Sequence, residues 1–109
     1  MPVVLPDVGR EYFEADKAVD PEAIAQCFAE DAVVIDEGNT YAGREAIRQW
    51  MANASSKYTY TVKPIAIAPE NGRIAVTGHL VGDFPGSPVD LRYIFAFAGD
   101  KIAELQIVP

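Results

Sequence analysis

The spacing of apolar residues near the start of the chain predicts an amphipathic helix. Beginning at Asp7, apolar positions recur every three or four residues, and charged residues fill the positions between them. The apolar positions are Val8, Tyr12, Ala15 and Val19. Tyr12 is therefore predicted to face the interior.

Two further helices are predicted before residue 58. Asp20-Pro21-Glu22 is a helix start signal, because Asp can cap free backbone amides and Pro suits the first helical position. The buried residues of this short second helix are predicted to be Ile24, Cys27 and Phe28. The third helix begins at Gly43 and ends at Ser55-Ser56. Its apolar stripe consists of Ile47, Trp50, Met51 and Ala54.

A short strand is predicted over Ala32–Asp36, because three β-forming residues precede Asp36. The next four residues, 37–40, are predicted to form a turn. After Lys57, three dipeptides that favour tight reversals separate the remaining apolar runs: Asn71-Gly72, Pro85-Gly86 and Gly99-Asp100. They predict an antiparallel meander of four strands, Tyr58–Ala68, Arg73–Phe84, Val89–Ala98 and Lys101–Val108. Three helices packed on one face of that sheet make an α+β fold.

The first long strand changes its apolar phase at Lys63-Pro64. Proline cannot join the hydrogen-bond ladder, and a one-residue insertion reverses which side chains face inward, so a β-bulge is predicted there. A bulged sheet bends strongly. A bent sheet with helices on its concave side is the geometry in which small-molecule pockets occur.

Alternation along the later strands predicts which side chains face the core. In the third strand of the meander the aromatic phase, predicted to face inward, is Leu91, Tyr93, Phe95 and Phe97. In the strand before it the apolar phase contains Val76 and Leu80, and His79 belongs to the opposite phase. Pattern alone therefore places His79 outside.

Composition and charge argue against some classes of binding partner. The 109 residues are half apolar and fit a single domain, 1–109. Sixteen acidic against nine basic residues give a formal charge of −7, which argues against nucleic acid and anionic membranes as partners. With no signal peptide or long apolar segment, a cytoplasmic location is expected. The single cysteine, Cys27, is predicted to be a core residue.

Asp36 is the strongest candidate for chemistry. A carboxylate after three β-forming residues is either an exposed strand end or a desolvated acid or base. The sequence contains no Gly-rich phosphate loop, Cys/His metal cluster or serine nucleophile elbow, so no cofactor or metal is expected.

The run from Phe28 to Asp36, FAEDAVVID, together with Gly43-Arg44-Glu45-Ala46-Ile47, resembles the signature segment of the NTF2-like superfamily. It is most similar to the SnoaL-like and ketosteroid-isomerase-like members, and the similarity in element order extends over essentially the whole chain. The resemblance implies an NTF2-like cone, in which three N-terminal helices pack on a strongly curved antiparallel sheet around a central pocket.

The resemblance to ketosteroid isomerases also implies roles for individual residues. Asp36 occupies the place of the proton-shuttling base, although Glu37 stands where that family has a proline. Tyr12 lies sixteen residues before Phe28, the distance of the family's oxyanion-hole tyrosine. Tyr93 stands where the family has a protonated aspartate, and a phenol can donate the same hydrogen bond. The implied reaction is proton transfer next to a carbonyl.

The pocket implied by the resemblance would hold a small hydrophobic molecule. Its expected lining residues are His79, Trp50, Phe28, Phe95 and Val34. For His79 this placement contradicts the strand pattern. Some relatives open epoxides with paired carboxylates and an arginine. Asp90 and Arg92 share a strand face and would be the groups that imitate this arrangement, although their phase argues against it.

Two interpretations without catalysis stay open. The pocket can merely bind a hydrophobic ligand, or the domain can bind another protein through an apolar patch of its sheet. A homodimer that pairs the convex faces of two sheets is also expected, with Leu80, Ile94 and Ile74 on that outer face.

Overall fold

A computed structural model describes residues 5–18 and 20–109 of the chain, with the side chains of residues 55–57 left aside. Val19, predicted as part of the first apolar stripe, lies outside the described residues. The elements in chain order are α1 (Asp7–Lys17), α2 (Pro21–Gln26), β1 (Phe28–Asp36), β2 (Asn39–Ala42), α3 (Arg44–Lys57), β3 (Tyr60–Glu70), β4 (Arg73–Gly82), β5 (Val89–Ala98) and β6 (Lys101–Val108).

The strands form one six-stranded sheet in the order β2-β1-β6-β5-β4-β3. The predicted meander is confirmed, because β3 to β6 pair successively and antiparallel. The pair formed by β1 and β6 is parallel. The predicted α+β fold with three helices is confirmed, while several boundaries differ: β3 begins at Tyr60 rather than Tyr58, and β4 ends at Gly82 rather than Phe84.

Two features of the β1 region were not predicted. The predicted turn over residues 37–40 is shorter, because Glu37 and Gly38 reverse the chain with positive φ angles of 52° and 77°. Asn39 already pairs with Asp36 in the additional strand β2. In addition, α2 ends at Gln26 and β1 begins at Phe28, where the backbone pairs with Ile102 of β6. Phe28 is buried as predicted, but it lies on a strand and not on the second helix.

The predicted β-bulge in β3 is confirmed. The register between β3 and β4 shifts between Pro64 and Ala66, so that Ile65 has no direct partner and is 53% exposed. The shift brings Ile67 opposite Val76, whereas Val62 before the bulge lies opposite Leu80. The inserted residue therefore reverses the apolar phase of the strand, as its sequence pattern indicates.

The core lies between the helices and the concave face of the sheet. Tyr12 of α1 packs edge-on against Phe28 and Phe95, with ring centroids 6.0 and 5.7 Å apart. Tyr93 packs in the same way against Phe13 of α1, with centroids 5.3 Å apart. The aromatic phase of β5 thus faces inward as predicted.

The register between β4 and β5 also corrects one expectation. Ile74 lies opposite Phe95, and Leu80 lies opposite Val89. Because directly paired residues point to the same side of a sheet, Ile74 and Leu80 belong to the inner face, and their expected place on the outer face is wrong. Ile94 does lie on the outer face, between Ala75 of β4 and Gln106 of β6.

Cys27 is a buried free thiol whose Sγ donates a hydrogen bond to the Ala23 carbonyl, at 3.4 Å, as expected of a core residue. In the described part of the chain, no helix combines the length and the apolar character needed to cross a membrane.

Candidate active site

Asp36 ends β1 on the inner face of the sheet. Its backbone pairs with Asn39 of β2 on one side and with Ile107 of β6 on the other, so both neighbouring strands hold it in place. Its carboxylate Oδ2 accepts a hydrogen bond of 3.0 Å from the indole Nε1 of Trp50, which projects from α3. Burial raises the pKa of the Asp36 carboxyl, and the Trp50 hydrogen bond opposes that rise. Asp36 is therefore a half-buried carboxylate and not an exposed strand end.

Tyr12 and Tyr93 approach the same interior from α1 and β5. Their ring centroids are 6.4 Å apart, and the two side chains are only 1% and 4% exposed. Burial, followed by the negative charge of Asp16, raises the pKa of both phenols well above the usual value, so both hydroxyls stay protonated donors. Asp36 contributes to the same rise through its charge, which places it within electrostatic reach of both.

The structure adds a second pair of polar groups that the sequence analysis did not single out. Asp16 of α1 accepts a hydrogen bond of 3.2 Å from the hydroxyl of Tyr60 in β3. Burial raises the pKa of the Asp16 carboxyl to about 6, although the Tyr60 hydrogen bond acts in the opposite direction. The signal for Asp16 was available, because a residue four positions after Tyr12 lies on the same face of a helix.

Five titratable groups therefore form one electrostatically coupled cluster in the cone, which we call the Asp–Tyr cluster. It comprises Tyr12, Asp16, Asp36, Tyr60 and Tyr93. Burial also raises the pKa of Tyr60, and both aspartates add to that rise. Among the described residues, no basic side chain contributes to the pKa shift of either aspartate. Within that part of the chain, the cluster thus combines two carboxylates without a cationic partner and three phenol donors.

The cone is largely filled around this cluster. Phe28, Phe95 and Val34 are completely covered, and Trp50 is 7% exposed. The first three form a packed wall behind the cluster and present no surface to a ligand, which corrects their expected role as lining residues. Asp16, Asp36 and Tyr60 are partly exposed, whereas Tyr12 and Tyr93 are buried. Trp50 reaches the site through its bond to Asp36.

His79 lies on the outer face of the sheet, and its expected place in the pocket is wrong. It pairs with Asp90 of β5, and its Nδ1 lies 2.7 Å from the Asp90 carboxylate. Its neighbours Gly78 and Leu80 are buried on the inner face, so strand alternation directs His79 outward. The alternation along the strand therefore predicted the position of His79 correctly, and the family resemblance did not.

Asp90 and Arg92 do not form an epoxide-opening site. Both lie on the same outer face, away from the Asp–Tyr cluster. Asp90 contacts His79, and the Arg92 guanidinium is paired with Glu70. These groups belong to a set of cross-strand pairs on the surface.

The residues that the structure describes include no group of three His, Cys, Asp or Glu side chains placed to hold a metal ion. Two open depressions lie on the helical surface, one along α1 beside Glu11 and Glu14, the other between α2 and α3 beside Glu22 and Arg48. Neither includes a member of the Asp–Tyr cluster.

Comparison with known proteins identifies the family and the fold. The family model of the SnoaL-like domain matches residues 9–105. The chain belongs to the SnoaL-like domain family. Its structure is also similar to a candidate polyketide cyclase from Sinorhizobium meliloti, at 39% identity and a TM-score of 0.89, with 94% of each chain covered.

More distant similarities show the fold alone. A ketosteroid-isomerase-like protein from Catenulispora acidiphila, solved with trimethylamine, is 20% identical, with a TM-score of 0.84 and coverage of 97% of this chain and 87% of that one. The epoxide hydrolase/cyclase-like enzyme SalBIII, which acts in pyran ring formation, is also 20% identical, with a TM-score of 0.78 and coverage of 94% and 87%. A search of functionally curated proteins gives no match. The NTF2-like, SnoaL-like identification made from the sequence is thus confirmed.

Proposed function

We propose that this SnoaL-like protein is a cofactor-independent proton-transfer enzyme that acts on a small hydrophobic carbonyl compound. The observation that carries the proposal is the position of Asp36. Its carboxylate is half-buried on the inner face, is held by Trp50 and lies within electrostatic reach of Tyr12 and Tyr93. A base and two proton donors that face one interior are the groups needed to form and stabilise an enolate.

In this mechanism Asp36 removes a proton from the carbon next to the carbonyl group. Negative charge then develops on the carbonyl oxygen, where the hydroxyls of Tyr12 and Tyr93 donate hydrogen bonds. Neither hydroxyl has a hydrogen-bond partner among the described residues, and neither oxygen is found among fully buried polar atoms that lack a partner. Both hydroxyls can therefore donate to a ligand oxygen without first breaking a bond to a described residue.

Chemistry in the relatives supports the same class. The Sinorhizobium meliloti protein is a candidate polyketide cyclase, and SalBIII acts in forming a pyran ring. A further structural relative, TerC, was co-crystallised with polyporic acid, at 14% identity and a TM-score of 0.78. Small organic molecules were thus present with two structural relatives, trimethylamine and polyporic acid, and we extend that class of ligand to this protein. A homodimer and a cytoplasmic location remain proposals of the same kind.

The proposal is tested with 3-cyclohexenone, a β,γ-unsaturated ketone that becomes 2-cyclohexenone when one proton moves. The Asp36→Asn variant keeps the shape of the side chain and loses the base, so kcat/KM should fall by roughly 10²-fold or more. Asp31→Asn is the matched control, because Asp31 lies on the same strand but is exposed. Absorbance of the conjugated product measures the rate.

The rival function is a binding module without catalysis. It would appear as saturable binding of 3-cyclohexenone in NMR titrations with no turnover by the wild-type protein. Equal turnover by the wild-type and Asp36→Asn proteins would also remove Asp36 from the mechanism.

A further inference from the structure

Asp16 is a second carboxylate in the cone that the proposed mechanism does not use. It lies one helical turn after Tyr12 on the inner side of α1, whereas Asp36 lies on β1. Within the described part of the chain, the Tyr60 hydroxyl is the hydrogen-bond partner of its carboxylate, through Oδ1 at 3.2 Å. This bond uses Oδ1 and not Oδ2. Asp16 and Asp36 therefore approach the three tyrosines from two different elements.

A carboxylate cluster alone would not identify a ligand site. The second observation is that Tyr12 and Tyr93, which are 1% and 4% exposed and have ring centroids 6.4 Å apart, carry hydroxyls that no described residue binds. The negative charges of Asp16 and Asp36 both raise the pKa of these two phenols. A ligand oxygen that binds to these hydroxyls would thus be within electrostatic reach of two carboxyl groups.

We propose that Asp16, oriented by Tyr60, is a second catalytic residue that donates a proton to an oxygen of the substrate while Asp36 removes one from carbon. This inference rests on the proposed function and specifies its substrate class as β-hydroxy carbonyl compounds. A single shuttling aspartate suffices for the movement of a double bond. A separate proton donor is needed when a hydroxyl group must leave as water.

The step balances as a dehydration. Asp36 takes the proton from the carbon next to the carbonyl, and the electron pair of that C–H bond forms the new C=C bond. The C–O bond to the β-hydroxyl breaks, and the oxygen takes the Asp16 proton and leaves as water. Asp36 then carries a proton and Asp16 is ionised. Exchange with solvent returns both to their starting states.

The charges around Asp16 are compatible with this role. The groups that face it are Tyr12 on its own helix, Tyr60 on β3 and Tyr93 on β5, and Asp36 on β1 acts on the same three phenols. All three phenols are neutral, and no cation of a described residue contributes to hold Asp16 ionised. Burial raises the pKa of Asp16 to about 6, so its protonated form is available near neutral pH, as a general acid requires.

Two probes that give the same product separate the roles of the two aspartates. 3-Hydroxycyclohexanone yields 2-cyclohexenone by dehydration, and 3-cyclohexenone yields it by isomerisation. In the Asp16→Asn variant, kcat/KM for dehydration should fall by roughly 10²-fold, while kcat/KM for isomerisation should change by less than about threefold. Asp36→Asn should lose both activities, and Asp31→Asn should keep both.

The pH dependence of the dehydration rate is a further test, because it would not depend on the protonation of Asp16 if that residue were only structural. In the wild-type protein, dehydration should decline as pH rises through about 6, because Asp16 loses its proton there. Tyr60→Phe removes a hydrogen bond that favours the ionised carboxylate, so the declining limb should move to higher pH. This variant also keeps the inference testable if Asp16→Asn does not fold.

Three results would overturn the inference while the proposed function stands: isomerisation without dehydration by the wild-type protein, equal slowing of both reactions in Asp16→Asn, or a declining limb unchanged in Tyr60→Phe. If the wild-type protein converts neither probe, the proposed function fails and the inference fails with it.

Discussion

At the scale of single residues, the two aspartates of the cluster impose an energetic cost on folding. Transfer of a carboxylate from water to a partly buried site without a cation disfavours its charged form. Asp16 gains a hydrogen bond from Tyr60, and Asp36 gains hydrogen bonds from Trp50 and from the Glu37 backbone; the rise in pKa of both carboxyls means that these bonds do not fully offset burial. Such uncompensated groups are typical of sites that bind or react, and less typical of residues selected for stability.

A stability measurement follows from the raised pKa of Asp16. Below about pH 4 the carboxyl is protonated in both folded and unfolded chains and has no effect on the free energy of unfolding. Between about pH 4 and pH 6 the unfolded chain ionises first, so the folded state loses stability as pH rises. At pH 7.5, Asp16→Asn should therefore raise the free energy of unfolding by about 1–3 kcal/mol.

Urea denaturation of wild type and variant at pH 4 and pH 7.5 checks this expectation. The gain should be small at the lower pH and fully developed at the higher one. Asp31→Asn removes one charge at an exposed position and controls for net charge. A variant that is less stable than wild type at pH 7.5 would show that the Tyr60 hydrogen bond outweighs the cost of burial.

At the scale of elements, Gly78 of β4 helps to set the position of the Tyr93 ring, because it lies in close contact with that ring where the inner faces of β3, β4 and β5 meet. A Cβ atom built on Gly78 would lie 2.8 Å from Cε1 of Tyr93 and 3.0 Å from Cγ1 of Val62. Real Cβ contacts are longer than this, so a side chain at position 78 would displace the Tyr93 ring. Because Gly78 has no side chain, the Tyr93 ring can occupy this space.

Gly78→Ala should consequently destabilise the protein by about 1–3 kcal/mol, because it overpacks the core and moves Tyr93. It should also reduce turnover of 3-cyclohexenone if the Tyr93 hydroxyl stabilises the enolate. Thr77→Ala is the matched control, since its side chain lies on the outer face and should change the free energy of unfolding by less than about 0.5 kcal/mol. Chemical denaturation measures both. Equal stabilities for the two variants would mean that the sheet adapts at Gly78.

At the scale of the whole molecule, the helices cover the inner face of the sheet, and no helix or strand of residues 5–18 and 20–109 packs on the outer face. Cross-strand ion pairs lie on it, Arg73 with Glu104 and Arg92 with Glu70, and these arginine side chains remain about 40% exposed. Ile94 lies half-buried among them. An interface formed here would be more polar than the apolar one expected from the sequence.

The proposed homodimer gives a mass prediction for this face. Light scattering at high micromolar concentration should give the mass of two chains, and Ile94→Asp should reduce it to one because a charge would be buried at the interface. Asn71→Asp adds the same charge at the exposed β3–β4 turn and should leave the mass unchanged. A wild-type protein of monomer mass would exclude the dimer.

The sequence by itself determined the order of the helices and meander strands, the bulge at Lys63-Pro64 and the inward phase of Tyr93 and Phe95. These features depend on local periodicity and turn chemistry, which a single stretch of chain contains. The short strand β2 was not predicted. It forms by pairing with β1, and its four residues are too few to show a recognisable periodicity.

Only the tertiary structure decided which polar groups meet. Asp16 and Tyr60 are 44 residues apart and come together because α1 packs across the inner face of the sheet. In the same way, pairing with β5 directs Leu80 inward and sets His79 beside Asp90 on the outer face. Local patterns identify the side chains that share one face of one element. The contacts between elements set the neighbours, the burial and the pKa of each group, because those quantities depend on distances that no single stretch of sequence contains.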